Sequence, residues 1–429
     1  MTKPDLSVDF AGIKSPNPFW LASAPPTNSG DQVKRAFDAG WGGAVWKTLG
    51  QPIVNVSGRL GSIDHGGQRM MGLNNIELIT DRPLSVNFAE ITDVKKHYPD
   101  HALIVSLMVE TKEDWRDIIK RSEDTGADGL ELNFGCPHGM CERGMGSAVG
   151  QEPAVLEQLV NWVMEFATIP VIAKLTPNIN DIREPGMAAV RAKADAVSLI
   201  NTIQSLIGVD LDRLVPLPRV GDASSHGGYC GPAVKPIALR MTAQLAREKG
   251  FSIPISGIGG ISDWRDAAEF MALGAATVQV CTAVMHHGYR IVDDMIEGLT
   301  EYLRQKGFDD VGQLVGAAVP GFQEWGELDL NFHSVAKIDA DSCIGCNRCV
   351  VACHDGAHQC IHLPDEWQGE VRVPYVDEPE CVSCNLCELV CPVDGCITME
   401  EQRRGPGRDS WNERVAQGRD HVPGGLADL

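Results

Sequence analysis

The chain has 429 residues, 43% of them hydrophobic, and a formal net charge of −21 at pH 7. This length is enough for two or three domains, and the negative charge argues against nucleic acid or an anionic membrane surface as a partner. The sequence contains no run of eighteen apolar residues, and its first residues lack the apolar segment of a signal peptide. We therefore expect a soluble, cytoplasmic protein that does not associate with membranes.

From Phe19 to about Arg304 short apolar runs alternate with amphipathic segments. The apolar runs predict eight strands, at Phe19–Ser23, Ala44–Thr48, Ala102–Leu107, Leu130–Asn133, Val171–Leu175, Ala196–Ile200, Ile253–Ser256 and Thr277–Val280. Helical patterns lie among them, at Asp31–Ala39, Trp115–Thr125, Ala154–Phe166, Pro236–Lys249, Trp264–Leu273 and Val292–Gln305. Eight strands, most of them followed by a helix, predict an α/β fold of the (β/α)8 TIM barrel type. An open doubly wound sheet is the alternative.

In such a barrel the residues just after each strand form the active face. The residues at these positions are Ser23 and Ala24, Lys47 and Thr48, Asn133 and Cys136, Lys174 and Thr176, Asn201 and Thr202, Gly259 and Gly260, and Cys281 and Thr282. The glycine turn after the seventh strand predicts a phosphate site, because glycine lets backbone amides approach phosphate oxygens. A buried lysine needs an anion, and a flavin phosphate would account for both Lys47 and Lys174. We find no strand–Gly-x-Gly-x-x-Gly–helix unit that would bind a dinucleotide.

The segment from Asn133 to Gly146 contains five glycines or prolines in fourteen residues, which predicts a loop. Its Asn133, Cys136 and His138 carry an amide, a thiol and an imidazole. A flexible loop with a proton donor at a strand end is typical of a lidded active site. A surface turn with a buried cysteine is the alternative.

Ten of the fourteen cysteines fall between Cys343 and Cys396. They form the runs Cys343-x2-Cys346-x2-Cys349-x3-Cys353 and Cys381-x2-Cys384-x2-Cys387-x3-Cys391-Pro392. This doubled spacing is typical of ferredoxins with two [4Fe–4S] clusters, in which the fourth cysteine of each run binds the other cluster. We therefore assign Cys343, Cys346, Cys349 and Cys391 to one cluster, and Cys381, Cys384, Cys387 and Cys353 to the other. Zinc, the alternative metal, prefers closed sites without such crossing.

Two further cysteines, Cys360 and Cys396, are expected to be packing residues, and His354 stands where a proline is usual. The composition predicts a barrel domain over residues 1–320, a ferredoxin-like domain over 335–400 and an extended tail over 401–429. Residues 341–400 contain eleven acidic and two basic side chains. They form either a solvated acidic surface or a docking face for a redox partner.

Four motifs carry a resemblance to a known family. They are Asn74-Asn75-Ile76-Glu77-Leu78, Asn133-x2-Cys136-Pro137-His138-Gly139-Met140, Ala173-Lys174-Leu175-Thr176-Pro177-Asn178 and Gly227-Gly228-Tyr229-Cys230-Gly231. With them, and over nearly its whole length, the chain resembles the catalytic subunits of bacterial NAD-dependent dihydropyrimidine dehydrogenases, which have a barrel of the dihydroorotate dehydrogenase type.

The resemblance implies an FMN-containing barrel that reduces uracil and thymine to their 5,6-dihydro forms, with electrons arriving through two [4Fe–4S] clusters. A hydride passes from flavin N5 to pyrimidine C6, and a loop cysteine, here Cys136, gives the C5 proton. A thiol with a pKa of about 8.5 is roughly 97% protonated at pH 7, and is thus loaded as an acid. A separate FAD- and NAD-binding partner subunit is implied, so we expect a hetero-oligomer.

By motif match the pyrimidine-binding residues are Asn75, Glu77, Asn133, Asn201 and Thr202. The residues around the flavin are Ser23, Ala24, Lys47, Lys174, Gly231, Gly259, Gly260, Cys281 and Thr282. The chain departs from many relatives at two positions: Gly135 replaces a serine whose hydroxyl contacts the substrate, and Cys141 replaces a glycine of the mobile loop.

Two other functions remain open from the sequence. One is a dihydroorotate-oxidising enzyme, whose substrate adds a carboxylate and would need a basic partner beyond the two flavin lysines. The other is an electron-transfer adaptor with a degenerate barrel, which the presence of Cys136, Lys47 and Lys174 argues against.

Overall fold

The computed structural model describes residues 3–51, 53–137, 144–329, 332–403 and 411–418. The chain divides into two compact units, residues 1–322 and 323–429. The predicted His138, Gly139, Met140 and Cys141 of the active-site loop lie outside the described residues.

The first unit is a closed barrel of eight parallel strands, which confirms the predicted fold. The strands are β1 (Phe19–Leu21), β2 (Gly43–Leu49), β3 (Ala102–Leu107), β4 (Gly129–Asn133), β5 (Val171–Lys174), β6 (Ala196–Leu199), β7 (Ile255–Ile258) and β8 (Ala275–Val280). They pair in chain order, and β8 pairs with β1 to close the ring. The predicted and observed strand boundaries differ by at most two residues. The seventh strand is shifted at both ends: it was expected over Ile253–Ser256, but β7 begins at Ile255 and continues through Gly257 to Ile258.

Helices connect the strands and cover the outside of the barrel. They are Gly30–Ala39, Leu84–His97, Lys112–Glu123, Ser147–Gly150, Pro153–Phe166, Arg183–Arg191, Lys235–Arg247, Trp264–Ala272, Thr282–His287 and Ile291–Lys306. Side chains mark several of their starts: the Thr111 hydroxyl accepts from the backbone N–H of Asp114, and Asp263 caps Trp264–Ala272 in the same way. Gly40 ends the first helix with φ 111°, a conformation that glycine adopts without strain.

Antiparallel strands are inserted between β2 and β3 and between β6 and β7, and the sequence patterns did not predict them. Leu60–His65, Gln68–Asn75, Gly227–Cys230 and Ile203–Ser205 form one four-stranded sheet, and Gly208–Asp210 pairs with Val215–Leu217. In the four-stranded sheet Asn75 lies opposite Gly228. The insertions therefore bring two of the motifs, around Asn75 and Gly228, side by side.

The barrel interior has an apolar floor and a polar upper layer. Two strands of a small hairpin, Val8–Phe10 and Ile13–Ser15, contribute Phe10 and Ile13 to the floor. These pack with Trp20, Val45, Ile104, Ile172 and Ala196, all from the strands. Because side chains alternate between the two faces of a strand, residues two positions further on also point inward. They are polar: Lys47 follows Val45, Ser106 follows Ile104, Lys174 follows Ile172 and Ser198 follows Ala196.

The second unit contains the cysteine runs. Phe332–Ile338 pairs antiparallel with Ile397–Arg403, and Ile361–His362 pairs with Tyr375–Val376. Its helices are Arg348–Gly356, Leu386–Leu389 and Trp411–Ala416. Short 3-10 turns occur in both units, at Pro25–Thr27, Pro232–Val234, Val311–Gln313, Val319–Gly321, Trp325–Glu327 and Glu378–Glu380. Among the described residues no helix is long and apolar enough to cross a membrane.

Candidate active site and cluster cavities

A cavity of about 1160 Å³ opens at the carboxyl ends of the barrel strands. Its wall contains Cys136 together with every residue predicted to bind substrate or flavin. These are Asn75, Glu77, Asn133, Asn201 and Thr202 of the first set, and Ser23, Ala24, Lys47, Lys174, Gly231, Gly259, Gly260, Cys281 and Thr282 of the second. The structure thus brings together residues from seven strand ends and two inserted strands, and their individual roles stay predictions.

Each of the two buried lysines has a carboxylate partner from the protein. Lys47 Nζ donates to Glu77 Oε1, and Lys174 Nζ donates to Glu131 Oε1 at 3.1 Å. Glu77 also accepts from Arg59 Nε at 3.1 Å. The expectation that these lysines are buried because a cofactor anion neutralises them was therefore incomplete, since Glu131 on the neighbouring strand β4 and Glu77, just after an inserted strand, already supply the opposite charge.

Glu131 is a functional candidate that the sequence patterns missed. It is fully buried on β4, between Leu130 and Leu132, and its side chain points into the barrel. Its Oε2 accepts from Ser198 Oγ at 2.8 Å and from Gln279 Nε2 at 3.0 Å. Glu131 therefore holds Lys174 in the cavity wall through a buried hydrogen-bonded network. A charged residue inside an otherwise apolar strand was the signal that could have identified it.

Side-chain amides and hydroxyls form a second network across the cavity. Asn133 Nδ2 donates to Thr48 Oγ1 at 3.0 Å, and Asn201 Nδ2 donates to Asn133 Oδ1 at 3.0 Å. The Thr48 hydroxyl also contacts the hydroxyls of Ser23, at 3.1 Å, and Ser106, at 2.9 Å. These bonds fix the orientation of both amides before any ligand binds. Since an amide NH2 has two hydrogens, each amide keeps one that these bonds do not use.

Cys136 follows β4 and is 9% exposed. It packs with Ile79, Met108 and Met145, and its carbonyl oxygen accepts from the backbone N–H of Ser147 at 2.9 Å. The next carbonyl, that of Pro137, accepts from Gln204 Nε2 at 3.3 Å. The described base of the loop is thus anchored at Cys136 and at the residue after it, and Cys136 lines the cavity.

Two glycines of the cavity wall lie where a side chain would collide with neighbouring atoms. A Cβ on Gly260, whose φ is 77°, would lie 2.9 Å from the carbonyl oxygen of Gly231 and 2.9 Å from Lys235 N. A Cβ on Gly259, whose φ is 128°, would lie 2.9 Å from Ala238 Cβ. Nearby, Gln279 Oε1 is buried without a hydrogen-bond partner and lines the same cavity. The wall thus lets a ligand approach the backbone closely, and it offers a buried acceptor without a partner and two lysines. These features fit a flavin that carries a phosphate.

Two further thiols line the cavity. The Cys281 thiol contacts Met285 Sδ at 3.7 Å, and the Cys230 thiol, which was not among the predicted site residues, donates to Leu73 O at 3.3 Å. Burial raises the pKa of both thiols, so both are neutral at pH 7.

In the second unit the cysteines surround two small cavities of similar size. Cys343, Cys346, Cys349 and Cys391 line a cavity of about 320 Å³, together with Cys396. Cys353, Cys381, Cys384 and Cys387 line one of about 330 Å³, together with Cys360. The fold therefore pairs the first three cysteines of each run with the fourth of the other. Among the described residues, no three His, Cys, Asp or Glu side chains are grouped so that they could hold a single metal ion. The cysteines of each set instead line the wall of a cavity.

The two runs repeat the same backbone conformation. Gly345 and Asn347 have φ of 66° and 59°, and the corresponding Ser383 and Asn385 have 65° and 63°. These left-handed residues stand on either side of the second cysteine of each run. They turn the backbone so that successive thiols reach one cavity.

Comparison with known proteins agrees with both units. The family model for dihydroorotate dehydrogenase matches residues 5–303, and the model for the 4Fe-4S dicluster domain matches residues 336–399. The chain is 44% identical over 403 residues to the NAD-dependent dihydropyrimidine dehydrogenase subunit PreA of Escherichia coli K12, covering 94% of this chain and 97% of that protein.

Two other relatives match about three quarters of the chain. The chloroplastic dihydropyrimidine dehydrogenase (NADP+) of Arabidopsis thaliana is 43% identical over 334 residues, covering 75% of this chain and 78% of that protein. The catalytic subunit of dihydroorotate dehydrogenase B (NAD+) of Thermococcus kodakarensis is 38% identical over 321 residues, covering 74% of this chain and 100% of that protein. FMN in the barrel and two [4Fe–4S] clusters are the cofactors of these families and of this chain. The chain therefore belongs to the dihydroorotate dehydrogenase family, as an oxidoreductase whose flavin barrel is followed by a 4Fe-4S dicluster domain.

Proposed function

We propose that the chain is the catalytic subunit of a dihydropyrimidine dehydrogenase and reduces uracil and thymine to their 5,6-dihydro forms. The observation that carries this proposal is the hydrogen-bonded amide pair Asn133–Asn201 in the same cavity wall as Cys136. The two relatives whose names include dihydropyrimidine dehydrogenase support it.

The amides provide what a pyrimidine ring edge requires. The ring carbonyls accept hydrogen bonds and the ring N–H groups donate them, so recognition needs paired donors and acceptors. Asn133 and Asn201 each offer one amide hydrogen, and Asn75 lies across the cavity on the inserted sheet. Because their orientations are already fixed, little side-chain entropy is lost when the ring binds.

Proton transfer is assigned to Cys136. FMN, when bound, supplies the hydride to one carbon of the reducible double bond of the ring. The Cys136 thiol gives its proton to the other carbon, and its apolar neighbours Ile79, Met108 and Met145 keep water away from it. Hydrogen bonds to the carbonyl oxygens of Cys136 and Pro137 hold the backbone that carries the thiol in place at the cavity.

The charges of the cavity favour a neutral ring over dihydroorotate. Among the described residues that line it, the cationic groups are Lys47 and Lys174, and each is paired with a carboxylate. A substrate carboxylate would have to compete with Glu77 or Glu131 for these ammonium groups. Uracil and thymine carry no such charge at pH 7.

The cysteines of the second unit are assigned as cluster ligands in the crossed arrangement, four per cavity. The clusters transfer one electron at a time, whereas nicotinamide delivers a hydride, so a separate FAD- and NAD-binding subunit completes the enzyme. Exposed carboxylates such as Asp355, Glu370 and Glu388 lie on the unit that such a partner would approach.

The test is anaerobic mixing of the purified, FMN-loaded protein with dihydrouracil, dihydrothymine or dihydroorotate while flavin absorbance is followed. We expect the first two to bleach the flavin and dihydroorotate to leave it oxidised. Faster bleaching by dihydroorotate would instead support the dihydroorotate-oxidising alternative, and purified protein without flavin would support the adaptor.

A further inference from the structure

Each cluster cavity contains a fifth cysteine that the ligand assignment does not use. In the second cavity this is Cys360, which is 4% exposed. Its Sγ lies 3.6 Å from Cys353 Sγ, and its backbone N–H donates to Cys353 Sγ at 3.2 Å. Cys360 is therefore in direct contact with the sulfur assigned as the fourth ligand of the second cluster, which is more than a packing residue requires.

Hydrogen bonds in and beside the segment between Cys353 and Cys360 keep these two residues close together. The backbone N–H of Gln359, whose φ is 57°, donates to Cys353 O at 3.0 Å. The His354 side chain donates from Nε2 to the carbonyl oxygen of Ile361 at 3.1 Å. His354 stands where the other run has Pro392, and a proline side chain has no donor for this bond. The unusual histidine thus ties the helix that carries Cys353 to the strand that follows Cys360.

A [4Fe–4S] cube binds one thiolate at each of its four irons. Two sulfurs in contact cannot serve two corners that the cube holds apart, so Cys353 and Cys360 compete for one corner. We propose that they share the fourth corner of the second cluster: Cys353 binds the iron, while Cys360 donates an S–H hydrogen bond to its sulfur and is the reserve ligand. This rests on the ligand assignment proposed above.

The exchange is a simple ligand substitution. The bond between iron and Cys353 Sγ is replaced by one between the same iron and Cys360 Sγ. The proton of the Cys360 thiol passes to the displaced Cys353 thiolate, 3.6 Å away, and neither cluster gains nor loses an electron. No other co-reactant is required.

The first test is iron analysis of anaerobically purified full-length variants, with the flavin content as a measure of folding. We expect Cys353→Ala to keep about eight irons per chain because Cys360 takes the corner, and the double variant Cys353→Ala/Cys360→Ala to keep about four. Cys384→Ala is the matched control, since it removes a ligand of the same cluster, and it should keep about four. Cys381 does not serve as the control, because its side chain is also hydrogen-bonded with Cys360. A single variant Cys353→Ala with full flavin and about four irons would overturn the proposal. A Cys384→Ala variant with eight irons would overturn the ligand assignment instead.

The second test does not depend on losing a ligand. Cys360→Ala should keep both clusters, yet the electron paramagnetic resonance signal of the reduced second cluster should shift and its reduction potential should fall. The reason is that a hydrogen bond to a ligand sulfur withdraws electron density from the iron. Cys360→Ser, which keeps a donor, should restore most of the parent potential. Identical spectra and potentials for Cys360→Ala and the parent would overturn the proposal even if Cys353→Ala fails to fold.

Discussion

Gly135 and Asn201 approach so closely that a Cβ atom on residue 135 would lie 2.3 Å from the Cβ of Asn201 and 2.5 Å from its Nδ2. The absent side chain at position 135 thus allows the backbone leading to Cys136 to pass directly against one of the two cavity amides. In this chain that close approach explains the glycine at position 135.

This contact predicts the effect of adding even one carbon. Gly135→Ala and Gly135→Ser should each displace either Asn201 or the base of the Cys136 loop, and displacement of about 1 Å can lower turnover about 10²-fold. Gly321→Ser is the control, because a Cβ there has no neighbour within 4 Å. Steady-state reduction of uracil measures the effect, and a Gly135→Ser enzyme of parental activity would show that the loop adjusts freely.

Removing the Cys136 thiol should abolish most turnover without loss of cofactors. We expect Cys136→Ala to keep FMN and iron but to reduce uracil about 10²–10⁴-fold more slowly, since a positioned acid contributes that much. Cys136→Ser keeps the size and a donor of much higher pKa, so it should be impaired as well. Activity within a few-fold of the parent in the alanine variant would assign the proton transfer to another group.

Glu131 and Lys174 should stabilise the barrel only when both are present. Glu131→Ala leaves the buried Lys174 without its partner and should lower the free energy of unfolding by about 3–5 kcal/mol. Adding Lys174→Met should recover part of that loss. Buried Trp20, Trp41, Trp46 and Trp115 report barrel unfolding by fluorescence in urea.

The control for this pair is Glu157→Ala, which breaks the exposed ion pair with Arg191 and should cost about 0–1 kcal/mol. Equal losses for Glu131→Ala and Glu157→Ala would show that the buried network adds nothing.

The crossed ligand arrangement predicts which irons are lost together. The double variant Cys391→Ala/Cys396→Ala removes two sulfurs from the cavity of Cys343 and should lower the iron content from about eight to about four per chain. Both are changed because Cys396 lines the same cavity. Spectroscopy should then detect the cluster of Cys381, Cys384 and Cys387 unchanged, whereas its loss would indicate uncrossed binding.

The chain alone should not oxidise NADH. It carries no Gly-rich dinucleotide motif after a strand, and its flavin is committed to the pyrimidine. With NADH and uracil we expect no dihydrouracil until the FAD- and NAD-binding subunit is added. An artificial one-electron donor should replace that subunit, and full-rate turnover by the chain with NADH alone would contradict the prediction.

The sequence predicted the parts of the molecule that follow local patterns. All eight strands of the barrel were predicted, because buried parallel strands form compact apolar runs, and the doubled cysteine spacing predicted the two cavities. The inserted sheet was not predicted, since Leu60–His65 is mostly exposed and has no apolar run. Glu131 was missed because its importance depends on contacts with β5, β6 and β8, which are distant in sequence. The contact of Gly135 with Asn201 likewise exists only once the closed barrel brings together the segments that follow β4 and β6.

The apolar floor of the barrel has a consequence for the order of events in turnover. Phe10 packs edge-on against Trp20 at 5.4 Å, and with Ile13 and the strand residues around them they seal the amino end. Among the described residues the cavity opens at the carboxyl ends of the strands, so water and protons approach the polar layer from the same side as the substrate. In the proposed reaction the thiol of Cys136 gives up its proton once in every cycle. The thiol must therefore regain a proton from that same side before the next substrate is reduced.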